Sequence, residues 1–149
     1  MAGSVTVKVD GLAALGERMR ALSAKVSTKL ASQATGAAAS VIKKKTIENI
    51  NRNPSVDTGS LRDSVLAKKV PKGQTDLTSE HIVTFRGRGK PYNKKGQKIN
   101  RAPHAHLVEF GTVNMPAEPS LRPAFDTGAQ EALQVMTAKL EAGIIKAGA

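Results

Sequence analysis

The sequence predicts an α+β fold: a small antiparallel sheet packed by two N-terminal helices and a long C-terminal helix, with a long basic loop. Three observations carry this. Apolar residues recur at three- and four-residue steps near both ends of the chain, the pattern of helices that bury one face. Two short segments, "SVLAKKV" and "HIVTFRG", read as strands joined by the polar connection "PKGQTDLTSE". Between the second of these and the C-terminal pattern, "RGRGKPYNKKGQKINR", Arg86 to Arg101, contains no acid at all.

Taken in order, "VTVKV", Val5 to Val9, alternates apolar and polar residues and stops at Asp10-Gly11, predicting a short strand that closes in a turn or helix cap. Leu12, Leu15, Met19, Leu22 and Val26 then fall on one face of an amphipathic helix, with Glu17, Arg18, Arg20 and Lys25 around the rest. Ser27-Thr28 offers a cap for a second, longer helix running to about Ile50, with Leu30, Ala34, Val41 and Ile42 as apolar contacts. Its Ala-rich centre allows close packing. Lys43, Lys44 and Lys45 read as a solvated turn near the end of that helix, where cations favour the dipole, against a binding role.

In "NRNPSVDTGSLRDS", Asn53-Pro54 and Thr58-Gly59 mark a loop, and Asp57 or Ser60 can cap a short turn into "LRDSV". The two strands that follow are expected to be antiparallel neighbours. Residues 86–103 have too few apolar side chains to offset the entropy of ordering, which predicts a mobile basic loop in the isolated protein. "AHLVEFGT" should be a strand or a short helical turn ending at Gly111. Beyond a Pro-rich turn, Phe125, Ala129, Leu133, Met136, Leu140 and Ile144 line one face of a terminal helix. No repeat of solenoid length is present, so residues 1–149 are expected to form one domain.

Composition narrows the function. With no Cys, no Trp, one Tyr and three Phe, the core must be built from Ala, Leu, Val and Ile, and thiol redox chemistry and Cys-based metal sites are excluded. The opening "MAGSVTVKVDG" lacks a basic segment followed by an apolar run, and no stretch approaches the roughly 20 apolar residues of a membrane helix, so a soluble protein made in the cytosol and having no membrane partner is expected. There are 23 Lys+Arg against 12 Asp+Glu, a formal net charge of +11, which attracts nucleic acid or an acidic partner surface.

Candidate chemistry is sparse. Asp-Thr-Gly occurs twice, at Asp57 and Asp126, but an aspartic-protease dyad needs both carboxylates on matched loops. The second copy opens or sits inside a helix, so capping is the better account. His104, His106 and Glu109 invite a metal reading, because residues two apart on a strand face the same way, yet the spacing matches no specific zinc signature. Arg86, Arg88, Lys90, Lys94, Lys95, Lys98 and Arg101 offer contacts to DNA phosphates or to an acidic protein, with Tyr92 available for stacking. Such contacts would be backbone-directed and salt-sensitive. No phosphate-cradling Gly motif, contextual Ser-His-Asp set or paired-carboxylate site is found, and no cofactor is expected.

The motifs together are more specific. Thr58, Gly59, Leu61 and Ser64, then Val108, Glu109, Phe110, Gly111 and Thr112, then Pro116, Pro119, Arg122, Pro123 and Ala124 match in order the pattern of a phage family. The chain resembles the small neck or tail-completion proteins of long-tailed phages, relatives of the lambda minor tail protein Z. Ser120 departs from the aromatic residue common there, and the basic segment before His104 is an insertion. The resemblance implies a non-enzymatic virion protein at the head-tail junction. It further implies a homo-oligomeric ring around the DNA channel, six subunits being the candidate number, with neck, connector and tail-terminator proteins as neighbours. Glu109, Phe110, Gly111, Thr112, Pro119, Arg122 and Pro123 are then expected to form a rigid structural turn or interface, with Glu109 and Arg122 making charge-assisted contacts, within the subunit or across a subunit boundary, that fix it.

Overall fold

The computed structural model describes residues 11–53, 59–71, 79–87, 95–98 and 100–148. The expected strand at Val5–Val9, Asp57, and the basic residues Arg88, Lys90 and Lys94 lie outside them. The described elements are α1 (Leu12–Arg20), α2 (Ala24–Arg52), α3 (Ser60–Ser64), β1 (Val65–Lys69), β2 (His81–Phe85), α4 (Ala105–Phe110) and α5 (Leu121–Lys146). This is the α+β fold that the sequence predicts.

The apolar period from Leu12 to Val26 is not one helix. It continues across a corner: α1 ends at Arg20 and α2 begins at Ala24, so Val26 belongs to the second helix. Ser27-Thr28 is not the cap, either. Ser23 takes the N-cap position, its carbonyl accepting the N–H groups of Val26 and Ser27 at 3.0 Å each. The buried Ser27 hydroxyl instead donates to the Met19 carbonyl at 2.8 Å, bracing the corner between the two helices. Lys43, Lys44 and Lys45 occupy a regular turn inside α2, about two turns before its end at Arg52.

Two compact units make up the chain. One comprises Met1–Val41, Lys68–Ile82 and Gly128–Ala149, the other Ile42–Ala67 and Val83–Thr127. In the first, the buried side chains are mostly small: Ala34, Ala39, Ala129 and Ala132 beside Leu15, Leu140 and Ile144. Small residues let helices approach closely, and they do. A Cβ placed on Gly143 of α5 would overlap the Leu30 side chain of α2. In the same unit the Thr35 hydroxyl donates to the Ala31 carbonyl at 2.8 Å and lies 2.9 Å from His81 Nδ1, tying the start of β2 to α2.

In the second unit, Ile42, Thr46 and Ile50 form a buried stripe along α2 at four-residue steps, accompanied by Val65, Ala105 and Ala124. The Thr46 hydroxyl, fully buried, donates to the Ile42 carbonyl at 2.8 Å and so leaves no polar atom stranded. β1 and β2 pair as expected. Arg86 N–H donates to the Ser64 carbonyl at 2.8 Å and Val70 N–H to the Glu80 carbonyl at 2.9 Å, equal spans on both strands, so the antiparallel register is unbroken.

The terminal helix also departs from the expected face. It starts at Leu121, with Pro123 in its first turn, where a missing N–H costs nothing. Phe125, counted above as core, is 55 % exposed, whereas Ala124 is fully buried. The small residue is inside because the second unit packs the helix start closely. Ile144→Ala should therefore destabilise the protein by about 2–5 kcal/mol in urea unfolding. Phe125→Ala should change it by less than about 0.5 kcal/mol, and a large loss there would contradict this packing.

Candidate functional site

The segment from α4 to the start of α5 contains the turn expected to matter. α4 ends because Gly111 adopts φ 75° and ψ 178°, closing with its N–H on the Leu107 carbonyl at 2.8 Å. A Cβ at Gly111 would sit 2.8 Å from Ala117 N and 2.9 Å from Met115 O. Both the backbone angle and the space thus require glycine. The chain then reverses tightly: Thr112 N–H donates to the Met115 carbonyl at 2.8 Å, and Met115 N–H to the Thr112 carbonyl at 3.3 Å. Residues 112–120 form a strap that runs back along α4, with Glu118 N–H on the Val108 carbonyl at 2.8 Å.

Glu109 holds the far end of that strap. Its carboxylate accepts the N–H of Ser120 at 2.8 Å, of Leu121 at 3.0 Å and of Arg122 at 3.3 Å. These are donors that an α-helix leaves unpaired at its N-terminus, and the next residue, Pro123, has none. One side chain therefore satisfies the opening of α5 from outside the helix, with a negative charge at the positive end of the dipole. Arg122 enters this arrangement through its main chain.

α2 supplies a second anchor. Asn49 Nδ2 donates to the Ser120 carbonyl at 3.1 Å, and Asn53 Nδ2, one turn later, to Glu118 Oε2 at 2.7 Å. Four-residue spacing puts both amides on one helix face. Asn49 and Glu118 were not singled out from the sequence, and Asn53 and Ser120 only as a loop marker and a departure from the family pattern, since polar residues at helical spacing usually face solvent.

The strap is rigid underneath and apolar on top. Phe110 is 72 % exposed, and Val113, at the tip of the reversal, is 103 % exposed. Met115, Leu107 and Phe125 are also exposed. Beside the strap lies a groove of about 630 Å³ lined by Phe85, Pro103, Phe110, Pro119 and Leu121, with His106 and Arg122 among its polar residues. Exposed apolar side chains are thus concentrated in one short segment.

The described parts of the basic segment have fixed ends. Ala102 N–H donates to the Arg86 carbonyl at 2.8 Å, and Asn100 Nδ2 to Asp63 Oδ2 at 2.9 Å. The Arg62 guanidinium hydrogen-bonds Asp63 and holds its carboxyl below the ordinary value; desolvation opposes this, while the Arg62 charge and the Asn100 amide add to it. Arg86, Lys95 and Lys98 are exposed and Arg101 is half-buried. Asp126 lies exposed inside α5, and the hydroxyl of Thr127 donates to the Pro123 carbonyl at 2.8 Å. His104 and His106 open a helix rather than a strand, where residues two apart diverge by about 200°. Among the described residues, no three His, Cys, Asp or Glu side chains cluster closely enough to hold a metal ion.

Residues 13–111 match the family described as "Bacteriophage HK97-gp10, putative tail-component". The chain belongs to this family. The match runs from α1 through α4, so Glu109, Phe110 and Gly111 fall inside it and the strap beyond Gly111 falls outside. Neither a curated protein nor a solved structure matches the chain. As a member of a phage tail family, the protein is a structural component of the virion that works in contact with other virion proteins. No described helix is long and apolar enough to cross a membrane.

Removing the carboxylate should be costly. Glu109→Ala leaves three main-chain donors of this tail component without their partner, and a loss of about 2–3 kcal/mol is expected from capping and dipole terms together. Glu109→Gln, which keeps an acceptor oxygen and loses the charge, should fall between that and wild type. Gly111→Ala should cost about 2 kcal/mol or more, from the backbone angle and the overlap with Ala117. Urea unfolding of the three variants checks the order; a neutral Glu109→Ala would show that α5 needs no external cap.

Proposed function

We propose that this tail component is a non-enzymatic protein of the head-tail junction, assembling as a ring around the DNA channel to complete the tail and join it to the head. The observation that supports this most is the strap, whose polar underside is pinned by Glu109, Asn49 and Asn53 while Phe110 and Val113 stand in solvent. A segment fixed in advance loses little entropy on docking, which suits assembly. Its partners in this reading are further copies of itself and the neck, connector and tail-terminator proteins next to it. It is made in the host bacterial cytoplasm and ends in the virion.

The basic segment gives the ring a second role. Arg86, Arg88, Lys90, Lys94, Lys95, Lys98 and Arg101 would contact channel DNA or an acidic neighbouring subunit. A phage lacking this chain should accumulate separate heads and tails in electron micrographs, with joining restored by the wild-type chain. Joined particles at normal yield would refute the placement. Replacing Lys94, Lys95 and Lys98 together by Gln should reduce particle completion or DNA retention, and unchanged titre would remove the role of the segment.

The net charge of +11 favours one other reading, a nucleic-acid-binding protein without sequence preference. Tight, salt-dependent binding of duplex DNA by the isolated monomer, together with joined particles in its absence, would select it.

A further inference from the structure

We infer that Asp63 and Asn100 are positioning residues for a duplex-DNA contact, fixing where the basic segment meets α3 so that Arg86, Lys98 and Arg101 reach the phosphates together. This rests on the proposed role of that segment and chooses DNA over an acidic protein as its partner.

The tie is the hydrogen bond from Asn100 Nδ2 to Asp63 Oδ2 at 2.9 Å. Asp63 belongs to α3 and Asn100 to the basic segment, both within one compact unit. The other carboxylate oxygen, Oδ1, accepts the Arg62 Nε–H at 2.9 Å. Arg62 thus offsets the charge of Asp63 and, by its hydrogen bond, lowers its carboxyl, so the acceptor for Asn100 is ionised at neutral pH.

The main chain completes a stem around this tie. Arg86 N–H donates to the carbonyl of Ser64, the residue after Asp63, and Ala102 N–H donates to the Arg86 carbonyl, at 2.8 Å each. Arg101 Nη1 reaches the Gly87 carbonyl at 3.4 Å. Arg86 and Arg101 are thereby neighbours from opposite ends of the segment. Lys98 stands two residues before the tie, just after Gly96 turns the chain with φ 74°. Neither Arg86 nor Lys98, both exposed, is paired with an acid among the described residues. Cations held on one stem lose less freedom on binding than cations on a loose chain.

Composition decides the partner. Arg86 to Arg101 holds four Lys, three Arg, three Gly and no acid, against one Tyr and one Ile. Protein interfaces are depleted in Lys and anchored by aromatic and apolar residues, whereas a phosphate backbone is held by cations, amides and main-chain N–H groups. Such a contact is independent of base sequence and sensitive to salt.

Asn100→Ala removes the tie without changing the charge. In the full chain its affinity for a short fluorescent duplex should fall about threefold to tenfold, the effect of one hydrogen bond. The dependence of log affinity on log salt should flatten by about one phosphate contact. Because the bond is exposed, the melting temperature should stay within about two degrees of wild type. Asp63→Asn keeps an acceptor for Asn100 and Asp63→Ala does not, although both lose the same charge; Asp63→Ala should therefore bind the duplex more weakly of the two. Wild-type affinity and slope in Asn100→Ala, or equal binding by the two Asp63 variants, overturns the inference. So does a chain that ignores the duplex and binds an acidic partner instead. The proposed function is judged separately: it stands if phage lacking the chain accumulate separate heads and tails, and falls if they join.

Discussion

The carboxylate of Glu109 is the constraint on which the strap and the start of α5 depend. A helix presents unpaired N–H groups at its beginning, and in most proteins a residue within one turn supplies the acceptor. Here Ser120 occupies the cap position, but its N–H, like those of Leu121 and Arg122, points to a side chain eleven to thirteen residues earlier. Pro123 completes the arrangement by having nothing to donate. A cap that comes from another helix does two things at once. It stabilises α5 and fixes α4 against it, so the intervening residues have little freedom left.

That double role explains why the strap can be built almost without apolar burial. Its contacts to the rest of its unit are polar: Glu118 to Val108 and Asn53, and Ser120 to Asn49 and Glu109. The apolar residues Val113 and Met115 are left facing outward. In an ordinary surface loop that distribution would be reversed, with Val and Met inside. Here the apolar turn faces outward and the polar contacts lie beneath it. Gly111 makes the geometry accessible, since no other residue tolerates both its backbone angle and the closeness of Ala117.

The described ends of the basic segment are held by hydrogen bonds. Asp63 and Asn100 meet at one side of the basic segment, and Arg86 and Ala102 join its ends through the main chain. The lowered carboxyl of Asp63 reflects the Arg62 hydrogen bond first. The pair is exposed, so its energy is small in water, and its consequence is positional.

Much of the fold was legible because its signals are local. Apolar residues at helical steps place α1, α2 and α5, and two short apolar runs around a polar connection place the hairpin and its antiparallel pairing. Gly111 was recognisable as a stop, and Glu109 as a residue of the structural turn. The corner at Ala21–Ser23 was not legible, because the apolar period happens to continue across it. Nor was the exposure of Phe125: a large apolar residue in phase with a helical face reads as core, and only the closeness of packing in its unit decides that Ala124 goes inside instead. Glu109 was paired with Arg122 as a charge, but that its carboxylate takes the main-chain N–H groups of Ser120, Leu121 and Arg122 was out of reach for a deeper reason. Sequence periodicity reports which face of an element is buried, whereas a carboxylate that caps a helix from another helix leaves no spacing of its own, and only the folded chain brings acceptor and donors together.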